Sequence, residues 1–199
     1  NYFKLVTPIK DTTKKNGLGA PNVVYGPNGA VSYAYAGDLQ GNMWRFDFTS
    51  GNLSTARTST KPVFTAKTSG GVTQPITVQP QIVFAPGGGY ILLFGTGKYL
   101  ESFDATPANY ITNSYYAILD TTYDADAVAS RSELEARTPT TSGNGFQISG
   151  ANFTYGVGAG TKKGWYMDFY NSQSTGERVH HTLTSALAGN YLFFNTLIL

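Results

Sequence analysis

Residues 33–47 read Tyr-Ala-Tyr-Ala-Gly-Asp-Leu-Gln-Gly-Asn-Met-Trp-Arg-Phe-Asp. The segments on either side of the glycine-containing centre are rich in aromatic and small apolar residues, as short β-strands are. The connector Asp38–Asn42 consists of turn-forming residues, and Gly41 can adopt a positive φ without steric cost. The stretch therefore predicts an antiparallel hairpin, with Ser32–Gly37 as its first strand and Asn42–Phe48 as its second.

The same pattern recurs along the chain, where apolar runs with a period of two alternate with clusters of Gly, Pro, Asn and Asp. The other clear strand candidates are Gln81–Ala85, Tyr90–Gly95, Ser114–Asp120, Gly164–Tyr170, Glu177–Leu183 and Asn190–Thr196. Turn residues in Pro86–Gly89 and Asn171–Gly176 predict two further hairpins. One short helix is expected near 124–137, where good helix formers end before Pro139.

Composition agrees with a β protein and excludes several classes. The 199 residues include 14% aromatic and 13% charged residues, 23 glycines and no cysteine, so a charged coiled coil, a disulfide framework and a thiolate metal site are excluded. The net charge is +2, and the basic residues are scattered rather than clustered as in nucleic-acid-binding proteins. The longest aliphatic or aromatic run, Tyr90–Phe94, is too short for a membrane-spanning helix.

A weak internal repeat favours a propeller over a sandwich. Tyr35–Asp47 and Leu93–Leu100 share an apolar strand, a glycine turn and a second aromatic segment. They begin 58 residues apart, roughly the length of a propeller blade (about 40–50 residues). At that length the chain supplies about four blades. The expected fold is therefore all-β, an irregular and partial β-propeller of antiparallel sheets with one short helix. Because the sequence begins with Asn1 rather than Met, we expect 1–199 to be a single propeller-type domain or the C-terminal portion of a larger propeller.

Candidate catalytic and cofactor motifs are weak. His180 and His181 are adjacent, so they would face opposite sides of a strand. Phe94-Gly-Thr-Gly-Lys98 resembles part of a phosphate-binding loop, but it lacks the first glycine and the Ser or Thr after the lysine. Gly156-Val-Gly-Ala-Gly160 has alternate glycines without a strand–helix unit around them. We therefore expect a protein that is not an enzyme and has no catalytic residues and no cofactor.

A set of motifs nevertheless occurs in a specific order. The motifs are Gly17–Val24, Tyr33–Asp47, Gln74–Thr77, Gly89–Leu100, Asn113–Asp120, Ser130–Leu134, Gly164–Asp168, Gly176–Val179 and Phe193–Thr196. In this order they resemble the C-terminal β-propeller domain of the PilC/PilY family, which comprises tip-associated adhesion and biogenesis proteins of bacterial type IV pili. The resemblance extends over roughly residues 17 to 196.

The resemblance implies a non-enzymatic domain that promotes pilus assembly, opposes retraction and mediates attachment to surfaces or host cells, with a role in virulence. Its implied partners are minor pilins or the pilus tip, a host-cell or abiotic surface, and the remainder of its own longer chain. The implied location is the bacterial cell surface, at the pilus tip or outer membrane, after export through the periplasm.

Two alternative functions stay open. Gly37–Trp44 also resembles a blade motif of quinone-dependent propeller dehydrogenases, and exposed tyrosines are typical of a glycan-binding module.

Relatives in this family carry an EF-hand-like calcium loop, rich in Asp and Asn, just before the Tyr-Ala-Gly-Asp run. The corresponding position here is Tyr25–Ser32, which has no carboxylate. Calcium needs several oxygen ligands, usually with charged carboxylates among them, so we expect no metal site there and a plain hairpin turn at Asn28-Gly29. The alternative cation site is Asp120, Asp124 and Asp126, whose spacing approaches that of a calcium loop.

Overall fold

The computed structural model describes residues 3–8, 11–180, 185–189 and 191–199. These residues form thirteen β-strands, several single turns of 3-10 helix and one short α-helix, Ser172–Thr175. The strands are β1 (Asn22–Tyr25), β2 (Val31–Gly37), β3 (Asn42–Asp47), β4 (Arg57–Thr58), β5 (Phe64–Thr65), β6 (Gln81–Phe84), β7 (Tyr90–Gly95), β8 (Ser114–Asp120), β9 (Glu135–Ser142), β10 (Gly145–Ser149), β11 (Gly164–Asp168), β12 (Ser185–Ala188) and β13 (Tyr191–Phe194).

The strands assemble into two large sheets and one hairpin. The first sheet has the order β1-β2-β3-β4, with β5 also paired to β3; the second has the order β10-β9-β11-β8-β7-β6; the third is β12-β13. Neighbouring strands are antiparallel except β9 and β11, which are parallel. The all-β class is confirmed, and so is the hairpin predicted over residues 32–48, in which Gly41 has a φ of 83°.

Most of the other predicted strands are also confirmed, each within two residues of its predicted bounds. The exception is Glu177–Leu183. Its described part contains only an isolated bridge between Arg178 and Leu197, and residues 181–183 lie outside the described residues, as does Asn190. The hairpin predicted at Asn171–Gly176 is wrong, because the short α-helix Ser172–Thr175 occupies that segment and Arg178 pairs with Leu197 rather than with β11. Within the described ranges, no helix is both long enough and apolar enough to cross a membrane.

The helix predicted near 124–137 is wrong in position. The segment contains two single 3-10 turns, Asp124–Asp126 and Arg131–Glu133, and its last residues already belong to β9. Between the turns the backbone is extended, because Val128 donates its N–H to the carbonyl of Val63 at 2.8 Å. Pairing with a distant strand therefore overrides the local helix propensity.

The two large sheets and the hairpin are fewer units than the about four blades expected from length. The second sheet alone extends from residue 81 to residue 168, because several 3-10 turns, the β9–β10 hairpin of this sheet and a loop at 150–163 lie between β7 and β11 in the chain. The chain therefore uses roughly two ordinary blade lengths for one sheet.

The three units stack face to face in chain order. Tyr35 and Met43 of the first sheet share one buried core with Leu92 and Phe94 of the second. On the opposite face of the second sheet, the ring of Tyr115 lies 4.2 Å from that of Phe194 in β13. Each sheet thus covers the previous one, which is the packing expected of successive propeller blades.

The predicted repeat has a physical basis in two glycines. Gly37 ends β2 and Gly95 ends β7, and at each point another segment crosses directly over the strand end. A Cβ on Gly37 would lie 2.2 Å from Cγ2 of Ile76, and one on Gly95 would lie 2.4 Å from Cγ2 of Val179. In each case the crossing residue also donates its N–H to the residue after the glycine, at 2.9 Å. Only glycine leaves room for this crossing.

We expect Gly37→Ala to destabilise the chain, because the added methyl group clashes with buried Ile76. The free energy of unfolding, measured by urea denaturation with Trp fluorescence, should fall by about 1–3 kcal/mol. Gly87→Ala is the matched control, since a Cβ there meets nothing within 4 Å. Equal losses in the two variants would contradict this account.

Candidate functional site

Two of the three predicted cation ligands, Asp120 and Asp124, contact an arginine at the interface between the two large sheets. Arg45 of β3 places Nη1 at 2.6 Å from Oδ1 of Asp120 and Nη2 at 2.5 Å from Oδ1 of Asp124. Oδ2 of Asp120 accepts a hydrogen bond from the hydroxyl of Tyr35 at 2.7 Å. The side chains of Arg45 and Asp120 are only 4% and 3% exposed, so the ion pair is almost fully removed from water.

Burial and neighbouring charges shift the pKa values of Arg45, Tyr35 and Asp124 in this cluster. Burial alone would lower the pKa of Arg45, but attraction to Asp120 and the hydrogen bond between them raise it above its ordinary value. Burial and the charge of Asp120 raise the pKa of Tyr35, which stays neutral. For Asp124 burial acts to raise the pKa, but hydrogen bonds from Thr60 and the charge of Arg45 hold it below 3.8. Its stabilising contribution is therefore complete above that pH and lost as the pH falls through the lower folded value.

The third predicted ligand does not join this cluster. Asp126 accepts a hydrogen bond from Oγ1 of Thr121 at 2.6 Å, while Asp120 and Asp124 converge on the guanidinium of Arg45. Across the described ranges, no group of three or more His, Cys, Asp or Glu side chains is arranged to hold a metal ion. Arg45 thus supplies the positive charge between the two carboxylates that a cation would otherwise supply.

The position of the family's calcium loop is a tight turn. It connects β1 to β2, with Gly29 at a φ of 76° and its N–H donated to the carbonyl of Gly26 at 2.9 Å. Ala30 donates its N–H to Oδ1 of Asn28 at 3.1 Å. The hairpin turn predicted at Asn28-Gly29 is confirmed. The side-chain oxygen atoms of this segment do not fit a calcium ion, because none of them carries a charge.

The carboxylate of Asp38 organises the turn of the first hairpin. It is 1% exposed and accepts hydrogen bonds from the backbone N–H groups of Gln40 and Asn42, both at 2.9 Å. Its second oxygen accepts from Nε1 of Trp44 at 2.8 Å and from Nδ2 of Asn16 at 3.0 Å. The polar groups of this motif therefore satisfy one another, and the motif has a structural role.

The glycine turn Phe94–Lys98, which resembles a phosphate loop, is covered by the side chain of Arg178. A Cβ on Gly97 would lie 2.5 Å from Cβ of Arg178, whose Nη1 donates to the carbonyls of Lys98 and Asp104 at 2.9 Å each. Nζ of Lys98 lies 2.7 Å from carboxylate oxygens of both Asp104 and Glu101. The ammonium group and the carbonyl of Lys98 therefore both bind other groups of the same chain, as expected of a structural turn.

The remaining candidate motifs do not come together either. The ring of His180 lies 6.2 Å from that of Tyr99, and His181 lies outside the described residues. Gly156–Gly160 is a loop in which Gly156 donates to the carbonyl of Lys162 at 3.0 Å.

The ordered motifs instead contact one another in pairs. Gly19 donates its N–H to the carbonyl of Gly37 at 2.8 Å, which joins the first two motifs. The side chain of Gln74 donates to Oγ of Ser114 at 2.7 Å, and Arg131 pairs with Asp168. The contact of Arg178 with the glycine turn joins a further pair. The motifs are therefore linked by contacts in the folded chain that the sequence alone could not show.

One feature that the sequence did not indicate is a cavity between two strand edges. The edge strands β1 and β6 are tied at their beginnings by hydrogen bonds from Nδ2 of Asn22 to Pro80 O (2.9 Å) and from Nε2 of Gln79 to Pro21 O (2.6 Å). Beyond these ties lies a cavity of about 410 Å³, within the usual range for ligand pockets. All the residues that line it are uncharged, and Phe84 at its rim is 80% exposed. Such a surface suits an uncharged partner.

Comparisons with known proteins agree with this architecture. A family model described as the PilY1 beta-propeller domain matches residues 5–140. The type IV pilus biogenesis factor PilY1 of Pseudomonas aeruginosa strain PAO1 is 33% identical over an alignment of 190 residues, and the match covers 77% of this chain. The chain belongs to the PilY1 β-propeller family. The resemblance predicted from the ordered motifs is thereby confirmed.

Two further PilY1 relatives bear on the extent of the chain. A PilY1 homolog of Xylella fastidiosa strain Temecula1 is 28% identical over 92% of this chain. The crystal structure of the Pseudomonas aeruginosa PilY1 C-terminal domain matches with a TM-score of 0.75 and 29% identity, covering 96% of this chain and 46% of that chain. The chain spans 16% of the PAO1 protein and 13% of the Xylella one, and less than half of the solved PilY1 domain.

We expect Arg45→Gln to lower the free energy of unfolding by about 3–5 kcal/mol, because it leaves Asp120 buried without its partner. The matched control is Arg57→Gln, which removes the more exposed pair with Asp47 (3.1 Å) and should cost less than about 1 kcal/mol. Urea denaturation at neutral pH measures both. Similar losses in the two variants would show that the joint between the sheets does not depend on Arg45.

We also expect the chain to bind calcium weakly or not at all, because Tyr25–Ser32 has no carboxylate and Asp120 and Asp124 are paired with Arg45. Calorimetric titration with calcium chloride should give no saturable heat, and a chelator should leave the melting temperature unchanged. Micromolar binding would refute this expectation. Its loss in Asp126→Asn would then place the site at the predicted carboxylates.

Proposed function

We propose that this chain is the propeller portion of a non-enzymatic protein that promotes type IV pilus assembly, opposes pilus retraction and mediates attachment at the pilus tip. The observation that carries the proposal is the match of the ordered motifs and of the stacked sheets to PilY1, which is named a type IV pilus biogenesis factor. Its location would be the bacterial cell surface, after export through the periplasm. Minor pilins and a host-cell or abiotic surface are its proposed partners.

A binding role rather than catalysis is supported by how the buried charges are used. Arg45, Asp120 and Asp38 are engaged in contacts that hold strands and sheets together. The alternative of a quinone-dependent dehydrogenase gains no support, because the polar groups of Gly37–Trp44 bind one another. Function would then depend on which surfaces the folded chain presents.

The first such surface is the outer face of the β12–β13 hairpin, and we propose that the remainder of the longer chain covers it. Leu192 and Phe194 point back into the core, whereas Tyr191 and Phe193 on the other face are 72% and 58% exposed. The equivalent outward face of each earlier sheet is covered by the next sheet. The chain would therefore be one arc of a larger propeller, as its coverage of less than half of the solved PilY1 domain supports.

The second surface is the uncharged cavity between β1 and β6, which we propose as an attachment surface. Tyr25 and Phe84 at its rim are 64% and 80% exposed, and aromatic faces of this kind pack against sugar rings as well as apolar side chains. The glycan-binding alternative thus becomes one possible mode of attachment within the leading proposal.

Complementation of a strain that lacks the parent gene tests these roles separately. The deletion should reduce surface pili, counted by electron microscopy, and wild-type protein should restore them. Phe193→Glu should fail to restore piliation, because it places a charge on a face that the remaining chain covers. Phe84→Ser should restore piliation but lower attachment to surfaces or cells.

Thr138→Glu, on the exposed side of the β9–β10 hairpin, is the control and should restore both piliation and attachment. Normal piliation of the deletion strain would refute the biogenesis role. Full restoration by Phe193→Glu would refute only the proposal that the remaining chain covers the outer face of β12–β13. Full attachment with Phe84→Ser would refute only the proposed attachment surface.

A further inference from the structure

Strand β10 forms an open edge of the second sheet. It pairs with β9 on one side, with Gln147 opposite Thr140, and no described strand lies on its other side. All five of its residues are exposed, including Phe146 at 55% and Ile148 at 49%. The hairpin turn has a positive φ only at Gly143, its first central residue, as a type II′ turn requires.

The register fixes which backbone groups face outward. A two-residue turn makes its flanking residues a hydrogen-bonded pair, and bonded and non-bonded pairs then alternate along the hairpin. Gln147 is therefore bonded to β9, whereas Phe146 and Ile148 direct their N–H and C=O groups away from it. Pro139 lies opposite Ile148, at a non-bonded position where its missing N–H costs nothing.

Strand β10 itself carries none of the charges that usually protect a strand edge, although the guanidinium of Arg137 lies beside Gly150, just past its end. Residues 138–161 contain no Asp, Glu, Lys or Arg, and Pro139 lies on the inner strand of the hairpin. The short outer strand β4 of the first sheet, by contrast, carries Arg57 opposite Asp47. Natural proteins use such charges and short strands to prevent pairing with other chains. The edge of β10 is thus open to pairing.

We propose that β10 pairs antiparallel with β10 of a second copy of this chain, centred on Gln147. In this register Phe146 of each copy lies opposite Ile148 of the other, and these residues exchange their outward N–H and C=O groups. The apolar pairs share one face, and the two Gln147 side chains meet on the opposite face. The arrangement has twofold symmetry, so the same patch serves both copies, and no charge is opposed or buried.

This pairing is a weak, reversible contact. A strand of five residues buries far less than the about 1,600 Å² of a standard protein interface. The dimer should therefore form at high local concentration, as when several copies are displayed close together, and dissociate on dilution. Phe146 is already held against Tyr170, with ring centroids 5.2 Å apart, which lowers the entropy lost when the strands pair.

A single cysteine tests the register, because the natural chain has none. Gln147→Cys should form a disulfide-linked dimer under mild oxidation, since opposed residues in such a pair have Cα atoms about 4.5–5.5 Å apart. Ser142→Cys is the control; it is similarly exposed but lies on β9, away from the paired edge. Equal cross-linking of the two variants would mean random collision and would overturn the proposal.

Charge variants test the same contact without a covalent bond. In sedimentation experiments the average mass of the wild-type chain should rise with concentration towards that of a dimer. Gln147→Lys and Gln147→Glu should each weaken this association about fivefold or more, as like charges on directly opposed residues do, and an equimolar mixture should restore it.

Two sedimentation results would overturn the proposal. The first is a constant monomer mass over the whole concentration range. The second is association that Gln147→Lys leaves unchanged, which would assign the contact to another surface such as the exposed face of β12–β13. Thermal unfolding of each variant confirms that it is folded, and the exposure of Gln147 predicts no loss of stability.

Discussion

The guanidinium of Arg45, on β3 in the middle of the first sheet, bridges Asp120 at the end of β8 and Asp124 in the 3-10 turn that follows, and this contact ties the first sheet to the second. The chain gives up the hydration of three charged groups to form this contact, and a buried ion pair gains little over apolar packing of the same volume. Its value lies in specificity. A sheet that slipped by one residue would bury Asp120 without a partner, so the ion pair, together with the hydroxyl of Tyr35, selects one register among many apolar alternatives.

The glycine crossings are a second, steric constraint on packing. Ile76 fits against Gly37 and Val179 against Gly95 only without a side chain on either glycine, since any added atom there would overlap its neighbour. The turn held by Asp38 lies directly after one of these crossings. Local turn chemistry and long-range packing thus meet in the same few residues, which explains why the motifs that carry the family resemblance are mainly structural.

Some features determined by neighbouring residues could be predicted from the sequence, although the equally local β9–β10 hairpin is not among them. Features determined by distant residues could not be predicted. The first hairpin and the Asn28-Gly29 turn follow from alternation and turn residues. The residues of 124–137 favour a helix, and nothing local reveals that Val128 pairs with Val63 instead. In the same way, the carboxylate spacing of Asp120 and Asp124 suggested a cation site, while the cation that they actually contact is Arg45, 75 residues before Asp120.

The low charge of the chain has two separate causes, and only one of them concerns stability. Inside, aromatic side chains fill the space between sheets, so few charged groups are needed beyond the joint at Arg45. Outside, the cavity rim at Phe84, the face at Phe193 and the edge at Gln147 are all uncharged, although exposed positions ordinarily carry charges for solubility. A chain gains no stability by leaving such surfaces apolar in water. Contacts with other surfaces would give them a role, and recognition through them would rely on shape and backbone pairing, with little dependence on salt.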